Sequence, residues 1–286
     1  MSAAIDKISV YLRMIKFEHS VFALPFAFVS ALLAASGVPE LRKVIWIVVA
    51  MVGARSGAMG LNRVIDREID LNNPRTSGRE IPRGAISVSA AMALVVISFV
   101  LMVFAAYMLN PLCLKLSPVA IAVLIIYSYT KRFTWMSHFV LGLAISGAPL
   151  GAWVAVRGSL DLEIVPLVTA VIFWLAGFDV LYGLQDVDFD RKSGLFSIPK
   201  RFGIGPSLML ARTFHVISFG LLVANGLLFG AGGLYWTGMV LTAGLFLYEH
   251  SLVREGDLSK LDIAFFNMNG YISMTVFIFT LMDYIV

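Results

Sequence analysis

The sequence predicts an all-α, polytopic membrane protein of about nine transmembrane helices around a cytoplasm-facing cavity, and three observations carry that prediction. Hydrophobic residues make up 59% of the 286-residue chain and charged residues 14%, against roughly 45–50% and 25% in ordinary globular chains. The apolar residues fall in long runs bounded by charged or Pro/Gly-rich stretches. Lys and Arg crowd into alternate connections between those runs. Mean hydropathy is +0.87, and a soluble domain of this size has too little interior to hide so much apolar surface. A soluble enzyme, a disordered chain and a nucleic-acid-binding domain are excluded, despite a pI of about 9.2. The single cysteine, Cys113, leaves no intrachain disulfide and no Cys-based zinc or iron–sulfur site.

Nine apolar runs follow one another along the chain: Val21–Ser36, Val44–Leu61, Ala85–Met108, Leu112–Tyr129, Phe139–Val156, Ile164–Leu184, Leu208–Phe229, Leu234–Tyr248 and Ala264–Val286. Most approach the ~20 residues a helix needs to cross the hydrocarbon, and the first and eighth are short. Lipid offers no hydrogen bonds to an open backbone, so runs this long are expected as helices. Met1–Lys16 is too polar for a signal sequence, and Leu33-Ala34-Ala35 is a poor cleavage site, so the first run is expected as an uncleaved helix. No linker separates domains, and residues 1–286 read as one transmembrane domain.

With the N-terminus in the cytoplasm, that side collects Lys7, Arg13, Lys16, Arg63, Arg67, Arg75, Arg79 and Arg83. It also collects Lys131, Arg132, Arg191, Lys192, Lys200, Arg201, Arg254 and Lys260. That is sixteen of the 22 basic residues, against Arg42, Lys43, Lys115 and Arg157 on the other side. The bias sets the orientation, with the C-terminus opposite the N-terminus.

Six of the 18 acidic residues lie in two short segments, at the cytoplasmic ends of the second and sixth runs. The first is Asn62-Arg63-Val64-Ile65-Asp66-Arg67-Glu68-Ile69-Asp70, and the second is Tyr182-Gly183-Leu184-Gln185-Asp186-Val187-Asp188-Phe189-Asp190. Residues four apart share a helix face, so Asn62, Asp66 and Asp70 form one polar stripe. Tyr182, Asp186 and Asp190 form another, which Asp179 extends. Glu68 and Asp188 fall about 200° from the neighbouring Asp residues and point elsewhere. Four crossings separate the segments, so both stripes are expected on one membrane face, around one cavity. Carboxylates without His or Cys make an all-oxygen setting suited to Mg²⁺ or Mn²⁺, and two such ions bridge a diphosphate. His19, His138, His215 and His250 show no metal-ligand spacing. For either stripe alone, interfacial acids paired with nearby arginines remain the plainer alternative.

The loops after the two stripes share a theme, Ile81-Pro82-Arg83 in the first and Ile198-Pro199-Lys200 in the second, which suggests a faint internal repeat. Ser251–Ile263 reads as a polar cap, either helical or an ordinary connection.

The two acidic segments resemble the signatures of the UbiA superfamily of intramembrane prenyltransferases. The first signature, Asn-Asp-x-x-Asp-x-x-x-Asp, is met by Asn62, Asp66 and Asp70, with Arg63 in place of the second-position Asp, so Arg63 is given no metal role. The second, Asp-x-x-x-Asp with Tyr four residues ahead, is met by Tyr182, Asp186 and Asp190. Tyr127-Ser128-Tyr129-Thr130-Lys131-Arg132 is similar to a third motif, with Ser128 replacing Pro. Arg13–Ser20 and Asp70–Thr76 look most like the 4-hydroxybenzoate polyprenyltransferase branch, which includes menaquinone-pathway relatives. The resemblance covers essentially the whole chain.

What the resemblance implies is Mg²⁺-dependent transfer of a polyprenyl group from polyprenyl diphosphate to the ring of a hydroxy-aromatic acid, in a bacterial inner membrane. Asn62, Asp66, Asp70, Asp186 and Asp190 would hold two Mg²⁺ ions. Arg79, Lys131 and Arg132 would bind the diphosphate, and Tyr182 and Tyr127, with Tyr129, would shelter an allylic cation. Arg13 and Lys16 are candidates for the carboxylate of the aromatic acid. No nucleic acid and no obligate protein partner is expected. The rival from another class is a secondary transporter or ion-coupled channel using the same carboxylates.

Overall fold

The computed structural model describes residues 9–15 and 23–286. Twelve α-helices are defined: α1 (Ala23–Ala35), α2 (Leu41–Ile65), α3 (Arg67–Asn72), α4 (Val88–Leu109), α5 (Pro111–Thr130) and α6 (Ser137–Arg157), then α7 (Val165–Gly183), α8 (Val187–Ser193), α9 (Ile198–Phe202), α10 (Ile204–Leu228), α11 (Gly233–Ser251) and α12 (Asn269–Ile285). Residues 9–14 are also helical. Among the described residues there is no strand, only an isolated bridge between Arg254 and Asp257.

The helix boundaries follow from local chemistry. The Ser87 hydroxyl accepts from Ala90 N at 3.2 Å and starts α4, because a side-chain oxygen there serves one of the orphan N–H groups. Asn110 does the same for α5, accepting from Cys113 N at 2.9 Å, with Pro111 following where no N–H is needed. Gly158 ends α6 at φ 77°, a left-handed conformation that costs glycine nothing.

Each of the nine apolar runs falls on one of these helices, but seven stretches among the described residues are long and apolar enough to cross a membrane. α1 has 13 described residues, and residues 16–22, just ahead of it, lie outside the described residues. α11 reaches 19 residues, but its polar content and the Glu249-His250 pair in its last turn keep it out of the seven.

The chain divides into two compact units. One holds the described residues among 1–20 with Ile45–Tyr129, and the other those among 21–44 with Thr130–Val286. In the first, Tyr11, Met14, Ile15, Val64, Ile81, Ile86 and Ala91 form a common core. The Tyr11 hydroxyl donates to Ser56 O at 3.1 Å, and Arg63 Nε donates to Met14 O at 3.2 Å. These bonds tie residues 9–15 to α2.

In the second unit, Phe26, Trp153, Leu175 and Trp174 lie at the core. Helix pairs approach closely through small residues and hydroxyls, as helices do where lipid removes the hydrophobic force between them. Ser218 Oγ donates to Ala170 O at 2.8 Å, joining α10 to α7. Ser30 Oγ donates to Pro149 O at 2.6 Å, joining α1 to α6. A Cβ at Gly142 would lie 2.6 Å from Ile172 O, so only glycine permits this contact of α6 with α7. Ser251–Ile263 is a connection, with a turn closed by Arg254 N to Asp257 O at 3.1 Å and the reciprocal bond at 3.0 Å.

Candidate functional site

The first carboxylate set sits where α2 passes into α3. Asp66 interrupts the helix at φ −90°, ψ 3°, yet the backbone ladder continues, Asp66 N to Asn62 O at 2.9 Å and Asp70 N to Asp66 O at 2.8 Å. The four-residue stagger therefore survives the break. Asp66 and Asp70 are 1% and 3% exposed. Burying two carboxylates is costly unless positive charge and hydrogen bonds compensate. Asn62 Nδ2 donates to Asp66 Oδ2 at 3.0 Å. Arg79 Nη1 donates to Asp70 Oδ1 at 2.6 Å, and Thr76 Oγ1 donates to Asp70 O at 3.1 Å. Asp70 Oδ2 is buried with no hydrogen-bond partner.

The second set sits beyond α7, where a 3₁₀ turn, Leu184–Asp186, leads into α8. Asp190 is buried and accepts from Ser197 Oγ at 2.7 Å. Ser197 also caps α9, accepting from Lys200 N at 3.2 Å, so one hydroxyl fixes both the carboxylate and the following turn. Phe196 N donates to Lys131 O at 2.7 Å, which brings the Lys131-Arg132 strand of chain to this loop. Asp186 is half-buried. Tyr182 stacks on Phe265 with centroids 4.1 Å apart and rings 25° from parallel. Asp179, expected to extend this stripe, instead meets His138 Nδ1 at 2.7 Å. The other nitrogen, His138 Nε2, accepts from Ile198 N at 3.2 Å, which places the imidazole proton on Nδ1, toward Asp179.

Asn62, Asp66, Asp70 and Arg79 thus fall in the first unit, and Tyr182, Asp186, Asp190, Lys131 and Arg132 in the second. Glu68 and Asp188 stand away from both stripes, with side chains 80% and 90% exposed. Tyr127 is half-buried in the last turn but one of α5, and Tyr129 is exposed. Arg13 is exposed next to Met14, whose carbonyl Arg63 holds. Lys16 lies outside the described residues. Arg63, at the second position of the first acidic segment, has a structural task, its Nε donating to Met14 O. Sequence reading missed Thr76, Ser197 and His138. Ser197 was findable, since Ser-Ile-Pro is a helix-start signal. His138 was not, because its partners lie 41 and 60 residues away.

The carboxylate sets offer oxygen donors only, with a buried oxygen unserved by any protein hydrogen bond, which suits a hard divalent cation. The UbiA prenyltransferase family model matches residues 23–271. The chain belongs to the UbiA prenyltransferase family. It is 32% identical over 245 residues to a 4-hydroxybenzoate octaprenyltransferase of Vibrio cholerae serotype O1, covering 86% of each chain. The apo structure of a UbiA homologue from Aeropyrum pernix K1 matches with a TM-score of 0.85 at 32% identity, over 93% of this chain and 98% of that one. A UbiA homologue from Archaeoglobus fulgidus, solved bound to GPP and Mg²⁺, matches at TM-score 0.71 and 19% identity, over 97% of this chain and 100% of that one. This protein is therefore a multi-pass membrane enzyme of UbiA type, a prenyltransferase rather than a carrier.

Proposed function

We propose that this UbiA-type enzyme transfers a polyprenyl group from polyprenyl diphosphate to the ring of a hydroxy-aromatic acid, 4-hydroxybenzoate or a dihydroxynaphthoate, in ubiquinone or menaquinone biosynthesis. The observation that carries the reading is the buried Asp66–Asp70 pair, whose Asp70 Oδ2 has no hydrogen-bond partner while Arg79 holds Oδ1. A buried carboxylate arranged this way is organised for a cation. The name of the Vibrio cholerae relative and the ligands of the Archaeoglobus fulgidus homologue support the choice of substrates.

Asn62, Asp66 and Asp70, together with Asp186 and Asp190, would hold two Mg²⁺ ions. Bound there, Mg²⁺ supplies the Lewis-acid charge that a departing diphosphate needs. The chain's own groups do the rest. The Asn62 amide orients Asp66 through its Nδ2, and Ser197 orients Asp190. Arg79, Lys131 and Arg132 set fixed positive charge about the diphosphate oxygens. The prenyl C–O bond breaks, diphosphate leaves with the electron pair, and the allylic cation forms a C–C bond to the electron-rich ring, which then loses a proton. Tyr182, with Tyr127, shelters that cation against an aromatic face, worth roughly 0.5–2 kcal/mol. Arg13 and Lys16 recognise the acceptor's carboxylate.

Four of the seven candidate crossings lie between the two acidic segments. That even number supports a single membrane face for both, here assigned to the cytoplasm of a bacterial inner membrane. The test is an assay of membranes with polyprenyl diphosphate, Mg²⁺ and a panel of aromatic acids, with products identified by mass. A prenylated hydroxybenzoate or naphthoate is expected, and Asp66→Asn or Asp186→Asn should each abolish it. Full activity in EDTA, or substantial activity in either variant, would sink the metal assignment.

A further inference from the structure

We propose that His215, Glu249 and His250 form a second metal site, distinct from the carboxylate sets, for a borderline transition-metal dication of the Zn²⁺ class. His215 lies on α10 and the other two on the last turn of α11, so 35 residues separate the imidazoles in sequence. The fold nevertheless brings one ligand atom from each of the three residues within 4.8 Å of the others. His215 Nδ1 stands 3.0 Å from His250 Nε2 and 3.5 Å from Glu249 Oε2. Zn–N and Zn–O bonds of about 2.1 Å put tetrahedral ligand atoms about 3.4 Å apart. The two distances from His215 Nδ1 stand close to that spacing.

The surroundings prepare each ligand. His215 Nε2 lies 3.2 Å from Trp174 O, so its proton belongs on Nε2 and the Nδ1 lone pair faces the group. A carbonyl on the remote nitrogen is the usual support of a metal-bound imidazole. Asn269 Nδ2 donates to Glu249 Oε1 at 3.0 Å, which leaves Oε2 toward the histidines. Glu249 and His215 are 0% and 2% exposed, and Glu249 Oε2 has no hydrogen-bond partner. A His250 Nε2–H bond to His215 Nδ1 would account for the two rings but would leave this oxygen unserved. A cation serves all three.

Two backbone features make room for the arrangement. A Cβ at Gly177 would lie 2.3 Å from His215 Cδ2, so glycine is required for the ring to sit where it does. The π-helical turn Ile263–Met268 delivers Asn269, whose Nδ2 also donates to Ala264 O and Phe265 O, both at 3.1 Å. Wide turns of this kind recur at functional sites. His250 is only half-buried, which gives an ion a way in. Two imidazoles and one carboxylate favour Zn²⁺ over Mg²⁺, whereas all-oxygen sets favour Mg²⁺. The two kinds of site therefore select different ions, and the second ties α10 to α11.

The test uses the full-length protein in detergent, stripped with a chelator, incubated with Zn²⁺ under excess Mg²⁺, desalted and measured for metal by mass spectrometry. One equivalent of Zn²⁺ is expected in the wild type and in Asp66→Asn/Asp186→Asn, and less than a tenth of that in Glu249→Gln and His250→Gln. Asn269→Leu should weaken Zn²⁺ affinity about 10–100-fold. Co²⁺ in the same site should give the strong visible bands of tetrahedral coordination, lost in His250→Gln. Wild-type protein that retains no Zn²⁺ overturns the proposal, as does retention that disappears only with the Asp substitutions. Should Glu249→Gln fail to fold, the wild-type stoichiometry and the half-exposed His250→Gln variant still decide it.

Discussion

Ser197 shows how much one hydroxyl can organise. It donates to Asp190 Oδ2 at 2.7 Å and accepts from Lys200 N at 3.2 Å, so Ser197→Ala removes a helix cap and orphans a buried carboxylate together. The expected cost is about 1–3 kcal/mol, read as a lower unfolding temperature, with reduced turnover; Ser197→Thr should recover both. Thr76 plays a related part in the first set, binding the backbone of Asp70 rather than its carboxylate. Asp161, between α6 and α7, gives a pH-dependent case. Hydrogen bonds from Ser159 and then Trp153 hold its carboxyl below the usual range. Its folded value is depressed, so its stabilising contribution is present above the ordinary carboxylate range and is lost as pH falls through the lowered value. Wild type and Asp161→Asn should therefore differ in thermal stability at neutral pH and converge in acid; a constant difference across that range would refute the linkage.

At the scale of elements, helical period explains which acids gather and which do not. The ladder through Asn62, Asp66 and Asp70 keeps its four-residue step despite the break at Asp66, and Glu68, two positions out of phase with Asp66, is thrown to the surface. The Ile-Pro-basic repeat also has a packing reason. Ile81 joins the core of the first unit, and Ile198, with no exposed surface, joins a core of the second. Each isoleucine anchors the loop that carries basic residues back past its acids. Arg63 anchors a further element, since its Nε holds Met14 O. Arg63→Met should release residues 9–15 at a cost of about 1–3 kcal/mol. Limited proteolysis would detect this as faster cleavage near Arg13; unchanged cleavage would show that Tyr11 and the apolar contacts hold the segment alone.

For the whole molecule, the proposed orientation makes a direct prediction. In a Cys113→Ser background, Glu68→Cys should react with a membrane-impermeant thiol reagent only from the cytoplasmic side, and Lys115→Cys only from the outside. The reverse pattern would invert the topology and move the carboxylates out of the cytoplasm. Most of the architecture was legible in advance, because lipid forces a spanning backbone to satisfy itself and leaves long apolar runs in the sequence. Span count was less legible. Seven stretches among the described residues meet the length and hydropathy of a crossing, and α11 falls short of them through its polar content and the Glu249-His250 pair in its last turn.

The local half of the proposed site was written in the chain's spacing, since residues four apart on a helix share a face whatever surrounds them. Asn62, Asp66, Asp70, Asp186 and Asp190 could be chosen on that ground, and the family membership agrees with the choice of enzyme class. The pairing of His138 with Asp179, and the gathering of His215 with Glu249, His250 and Asn269, had no such signature. Contacts between helices depend on which faces pack and how closely small residues let them approach. Gly177 and Ser218 set that approach for α7 and α10, and neither reveals its partner by its position in the sequence.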